Sequence, residues 1–129
     1  MPVLTICHFN LRAPRELLDS LCEFYCNVVG LTVGERPAFA SFGYWLYAGA
    51  KDVLHLTEAK PNEQRNVSAK TTFDHIAFAC TDSASYEARL SAAGIEYASD
   101  VIPGTGCVQI FFNDPAGNGV ELNFAAGGG

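Results

Sequence analysis

"FDHIAFAC", residues 73–80, decides the fold, because there the pattern of the chain starts over. Ile76 and Phe78 alternate with His75, Ala77 and Ala79, the period of two that marks a strand with one apolar face. Near the N-terminus "LTICHFNLRA" (4–13) reads the same way, with Cys7, Phe9 and Leu11 opposed to Ile6, His8, Asn10 and Arg12. After that first strand Pro14 suits the opening turn of a helix, and Leu17, Leu18, Leu21, Phe24, Tyr25 and Val28 recur at helical spacing until Gly30. Strand-like runs follow at 31–35, 42–48 and 52–57. After 73–80 the order returns: Asp82 or Ser83 caps a helix carrying Tyr86, Leu90 and Ala93, which Gly94 ends. Runs at 95–99, 107–112 and 119–124 complete it, the last two joined by the turn "NDPAGNG".

The chain therefore reads as βαβββ twice, an α+β protein of two tandem modules within one domain, residues 1–129. Module 1 covers about 1–58, a polar stretch without apolar period (59–72) links the two, module 2 covers about 73–124, and 125–129 form a tail expected to fray. The offsets agree with a duplication: Gly30 to Gly94 is 64 residues, His55 to Glu121 is 66 and His8 to His75 is 67.

Composition narrows the function. At 49% hydrophobic and 17% charged residues the chain is an ordinary globular one. No apolar run approaches the ~20 residues of a membrane span. A formal charge of −6 argues against nucleic acid or an anionic membrane as partner, since both need clustered Lys and Arg. No basic and apolar leader is read at the N-terminus, so a cytoplasmic location is expected. The five cysteines form no CxxC pair and are expected to be reduced; Cys22 and Cys26, one helical turn apart, are read as packing residues.

Alternation assigns the chemistry to one face. In the run at 52–57, Leu54 and Leu56 oppose Val53, His55 and Thr57; in 119–124, Val120, Leu122 and Phe124 oppose Gly119, Glu121 and Asn123. The apolar faces suit packing against the helices. The opposite faces carry His8, His55, His75 and Glu121, so all three histidines of the chain lie there. A single strand histidine is ordinarily a hydrogen-bonded residue, but four repeat-related positions point to a metal. Three imidazoles and a carboxylate suit one divalent first-row ion (Fe, Ni, Co, Mn or Zn), with water completing the shell.

These motifs resemble the vicinal oxygen chelate superfamily, which includes glyoxalase I, extradiol dioxygenases, methylmalonyl-CoA epimerase and fosfomycin-resistance enzymes. "VLHLTE" (53–58), "DHIAF" (74–78) and "NDPAGNGVELNF" (113–124) carry the likeness, with the paired modules, over nearly the whole chain. The resemblance implies eight strands curled into a cup around one metal, helices outside, and ligands from the first and fourth strands of each module: His8, His55, His75 and Glu121. It also implies a homodimer, with a site possible between chains, and a small-molecule substrate captured through two neighbouring oxygens.

Departures within the family shape the expected reaction. Arg12 matches a glutathione-binding arginine of glyoxalase I, but Ala59 and Thr71 stand where other glutathione contacts belong. Phe111 replaces the catalytic tyrosine of the extradiol dioxygenase signature. The expected activity is a lyase or isomerase of glyoxalase type acting on a small oxygenated carbonyl or acid. The alternatives are an iron(II) dioxygenase of the extradiol-related branch and a non-catalytic ligand- or metal-binding protein. His55 and Glu121 are the candidate bases. Arg12, Asn10, Gln109, Phe111 and Trp45 are the candidate substrate contacts, with Tyr47 a further one.

Overall fold

The computed structural model describes residues 2–127, and the chain divides into two compact units, Met1–Asn66 and Val67–Gly129. The first unit runs β1 (Phe9–Ala13), α1 (Arg15–Phe24), a π-helical turn (Tyr25–Val29), β2 (Thr32–Gly34), β3 (Gly43–Ala48) and β4 (Lys51–Glu58). Its sheet has the order β1-β4-β3-β2, with β1 parallel to β4 and the other pairs antiparallel. The second unit runs β5 (His75–Cys80), α2 (Ser83–Ala92), β6 (Ala98–Val101), β7 (Val108–Asn113) and β8 (Gly119–Phe124). Its sheet has the order β5-β8-β7-β6, with β5 parallel to β8 and the rest antiparallel. Each unit is thus a βαβββ module, and the α+β class expected from the sequence is observed.

Local chemistry explains the boundaries. Pro14, with no N–H for the β1 ladder, places its carbonyl 2.9 Å from the Leu18 amide and so opens α1. The helix ends where the amides of Gly30 and Leu31 both donate to the Tyr25 carbonyl, at 3.0 and 2.9 Å, with Gly30 left-handed at φ 101°. Asp82 caps α2 by accepting from the Ser85 amide at 3.2 Å. In the turn before β8, Asp114 is buried and its Oδ1 accepts from the amides of Ala116 and Asn118, both at 2.9 Å. That turn sets the β7–β8 register, and with it the position of Glu121.

The core lies on the apolar strand faces. Leu18, Leu21 and Tyr25 of the first helical segment are buried, as are Leu46, Leu54 and Leu56, and α1 packs on β1, β3 and β4. In the second unit Leu90, Ile110, Val120, Leu122 and Phe124 are fully or almost fully buried, with the Tyr86 ring of α2 5.7 Å from that of Phe124. All five cysteines are free thiols. Burial foremost, then its neighbour Cys26, pushes the Cys22 thiol up to about 12, so it stays a protonated packing group.

Three expected strands are corrected. The strand expected over 4–13 is observed only as Phe9–Ala13, because pairing with β4 starts at Phe9 opposite Leu54. The preceding residues join no ladder and are exposed, Leu4 at 90% and Ile6 at 78%. The run expected at 95–99 is displaced to Ala98–Val101, since the Ile95 amide closes α2 on the Leu90 carbonyl at 3.0 Å. That expected at 31–35 shortens to Thr32–Gly34.

The polar stretch after β4 is not featureless. The Ala59 amide donates to Ala13 at 2.8 Å, and the Arg12 guanidinium grips Glu63 through Nε at 3.0 Å and Nη2 at 2.8 Å. Arg12 above all, then Arg65 and the Lys60 amide, hold the Glu63 carboxyl well below the usual carboxylate range. A carboxyl whose pKa is depressed on folding stabilises the fold above its ordinary value and loses that contribution as pH falls. The melting temperature of Glu63→Gln should therefore lie below that of the wild type at pH 7. The gap should shrink below about pH 4.3, the unfolded glutamate value. A gap unchanged down to pH 3 would refute this role for the ion pair.

Candidate metal centre

In the first unit the strand register builds a column of rings. Trp45 on β3 and His55 on β4 are direct cross-strand partners, and their rings stack at 4.0 Å and 8°. The exposed His8, one residue before β1, stacks on His55 at 3.7 Å and 17°. His55 is only 7% exposed, and its Nε2 lies 2.7 Å from Asp52 Oδ2. Strict alternation would put residues 52 and 55 on opposite faces. A bulge intervenes: Leu46 pairs with Leu54 but Tyr47 pairs with Asp52, so the extra residue turns Asp52 toward the histidine. The bond to His55 foremost lowers the Asp52 carboxyl below its ordinary value, so Asp52 is an ionised partner that fixes the ring and leaves Nδ1 as its other nitrogen.

The second unit repeats the theme with a carboxylate. Glu121 is 5% exposed, yet each oxygen is engaged. Gln109 Nε2 and Asn123 Nδ2 donate to Oε2 at 3.2 and 3.3 Å, and Oε1 faces His75 Nε2 at 3.1 Å. The other nitrogen of His75, Nδ1, lies 2.7 Å from Asp74 Oδ2. Asp74 foremost, with Glu121, raises the His75 pKa, against the smaller opposing effect of burial. The parallel register places Glu121 opposite Ala77, two residues beyond His75, and in the first unit His55 stands opposite Asn10, two residues beyond His8. Gly119 permits the approach: a Cβ there would run into the Asp74 carbonyl oxygen.

The residues expected to bind metal thus occur as two pairs, His8 with His55 and His75 with Glu121. Among the described residues no group of three or more His, Cys, Asp or Glu side chains is gathered as a metal cluster. The second pair fits a metal ion in its chemistry. One imidazole nitrogen and one carboxylate oxygen, 3.1 Å apart, match adjacent positions on an ion with bonds of about 2.1 Å. The carboxylate is already oriented by two amides and the imidazole by an aspartate, the outer support that metal ligands require.

The expected substrate contacts divide. Gln109 is engaged by Glu121, and the Phe111 ring stands edge-on to His75 at 5.9 Å. A cavity of about 440 Å³ opens there, lined among others by His75, Glu96, Tyr97, Phe111 and Asn113. Asn10 and Trp45 line a second cavity, of about 210 Å³, with His55. Tyr47 instead donates its hydroxyl to the Glu35 carbonyl, at 2.6 Å. Arg12 is committed to Glu63. Sequence reasoning missed Asp52 and Asp74. Asp74 could have been found as the residue adjoining a candidate ligand, whereas nothing in the sequence marks the bulge that delivers Asp52.

The Glyoxalase/Bleomycin resistance protein/Dioxygenase superfamily matches residues 6–122, and the chain belongs to that superfamily. Its fold is shared with solved structures of low identity. The fosfomycin resistance protein FosX from Listeria monocytogenes aligns with a TM-score of 0.73 at 17% identity, over 97% of this chain and 96% of that one. A glyoxalase family protein from Bacillus anthracis aligns with a TM-score of 0.72 at 20% identity, over 97% and 98%. Lactoylglutathione lyase from Agrobacterium tumefaciens aligns with a TM-score of 0.66 at 24% identity, over 96% of both chains. No curated protein sequence matches the chain. No helix among the described residues is long and apolar enough to cross a membrane.

Proposed function

We propose that the protein is a divalent-metal-dependent lyase or isomerase of glyoxalase type, acting on a small oxygenated carbonyl or acid compound. The observation that carries this reading is the buried Glu121 carboxylate, oriented by Gln109 and Asn123 and presenting Oε1 to His75. A buried carboxylate held by two amides and an imidazole is costly unless it serves a site. His75 and Glu121 would hold the ion, and His8 and His55 are the further candidate ligands. When bound, the ion supplies electrostatic stabilisation to negative charge developing on a substrate oxygen.

The remaining work falls to the chain's own side chains. Asp52 holds His55 Nε2, so Nδ1 is its one remaining nitrogen: it would ligate the ion or, where His55 is free of the ion, accept a proton taken from carbon α to a carbonyl. Glu121 Oε1 is the second candidate acceptor. Phe111, edge-on to His75, offers no hydroxyl to donate a proton, which favours the lyase or isomerase reading over ring-cleaving dioxygenation. Metal analysis of protein purified without chelators is the test. Stoichiometric nickel, cobalt, zinc or manganese, with substrate-dependent exchange of a carbon-bound proton for deuterium, is the expected result. Oxygen-sensitive iron with oxygen consumption would transfer the reading to a dioxygenase, and an absence of metal would overturn both.

A further inference from the structure

If Arg12 is committed to Glu63, an anionic substrate needs another cation, and the loop between β2 and β3 contains one. Arg36 is half-buried and lines the 210 Å³ cavity together with Asn10, Ser41, Trp45, His55 and Thr57. Its guanidinium is fixed on several sides. Nη1 donates to the Ser41 carbonyl at 3.0 Å and Nη2 to the Ser41 hydroxyl at 3.3 Å. The Phe39 ring lies under it, 4.8 Å from Cζ. Gly43 leaves it room, since a Cβ there would stand 2.9 Å from Nη2 and 3.1 Å from Cζ. These contacts leave one nitrogen without a partner: Nε is buried and has no hydrogen-bond partner. Nε itself is closed to solvent, so an oxyanion entering the cavity would be met by the second N–H of Nη1 or Nη2, on a guanidinium already held in place.

We propose that this cavity is the subsite for the anionic end of the substrate, and that Arg36 is the residue that binds it, the ligand being a small carboxylate. The inference rests on the proposed function and names its substrate class. The neighbours suit that chemistry. Asn10 spends its Nδ2 on Thr57 at 2.9 Å, so both polar side chains are already ordered at the cavity wall. Trp45 supplies a flat apolar surface, and its stack on His55 places the anion subsite beside a candidate base and ligand. A volume near 210 Å³ admits a few carbon atoms with a carboxylate and excludes a tripeptide thiol such as glutathione from lying wholly within it. A chain of net charge −6 does not attract anions at random, so a fixed cation in a cavity is a selective feature.

Trp45 is the only tryptophan, so its emission reports on the space around it and Arg36, which comprises this cavity and a neighbouring one lined by Glu35, Pro37 and Tyr47. Acetate, pyruvate, succinate, inorganic phosphate and methylphosphonate are titrated into the full chain in excess chelator, which makes the result independent of metal and turnover. The expected result is a saturable change in Trp45 emission with at least one carboxylate, weakened tenfold or more in Arg36→Gln. In parallel, the same carboxylate should protect Arg36, among the five arginines, from phenylglyoxal in the wild-type protein, read by peptide mass mapping. This second measurement needs no variant to fold. Saturable binding of phosphate or methylphosphonate alone would overturn the carboxylate assignment. An emission change unaltered in Arg36→Gln, or no protection of Arg36 by any anion, would overturn the role of Arg36. Carboxylate binding without metal in the purified protein would leave this subsite standing while the metal-enzyme reading fell.

Discussion

Replacing His75 by alanine should abolish stoichiometric binding of a divalent transition ion, and Glu121→Gln should do nearly the same. The reason lies in the pairing of donors. His75 Nε2 and Glu121 Oε1 stand 3.1 Å apart, so deleting either leaves the other with half of a chelate. Glu121 is the one anionic donor among the four candidates, and the neutral amide oxygen that glutamine puts in its place binds a dication far more weakly, whereas alanine at 75 leaves no donor at all. Outer support should matter less but measurably. Asp74→Asn removes an anionic acceptor from His75 Nδ1, where such a change ordinarily costs 10–100-fold in metal affinity. Metal content by elemental analysis, followed by competition against a chelator of known affinity, orders the three variants. Full metal occupancy in His75→Ala, with the fold intact by circular dichroism, would show that this pair is not the metal centre.

Much of the scaffold behind that pair was legible in the sequence. Alternation put Leu54 and Leu56 on the core face and His55 opposite, and β8 runs from Gly119 to Phe124 as its pattern demands. The duplication was legible too, because each module repeats one register: a histidine two residues before the partner of His55 or Glu121. What escaped was whatever depends on a partner remote in the chain. Alternation marks residues 4–8 as strand-like, but a ladder needs a neighbour, and β4 offers β1 pairing only from Leu54 onward. Arg12 looked available because its partner Glu63 lies 51 residues away in a stretch without period. Asp52 looked misdirected because a one-residue bulge is invisible to a period of two. The same blindness hid Arg36, whose meaning comes from a spent Ser41, a bare Gly43 and an unspent Nε.

Phe124→Ala should be the most destabilising single truncation in the second unit, by about 3–5 kcal/mol. The side chain is fully buried, lies 5.7 Å from the Tyr86 ring of α2, and shares the apolar face of β8 with Val120 and Leu122. Truncation removes a ring's worth of dispersion contacts and leaves a cavity in a core whose other side chains, Leu90 and Leu122 among them, are themselves fully buried. Against a total of about 5–15 kcal/mol for a domain, that loss is a large fraction. Urea unfolding followed by circular dichroism measures it, and a change below about 1 kcal/mol would mean the core does not rest on this face. The consequence reaches the candidate site because one strand serves both faces: Phe124 anchors β8 from below while Glu121 and Asn123 project from the other side. Metal affinity in Phe124→Ala should therefore fall in proportion to the unfolded fraction and recover on cooling, whereas in His75→Ala it should stay lost at every temperature at which the protein is folded.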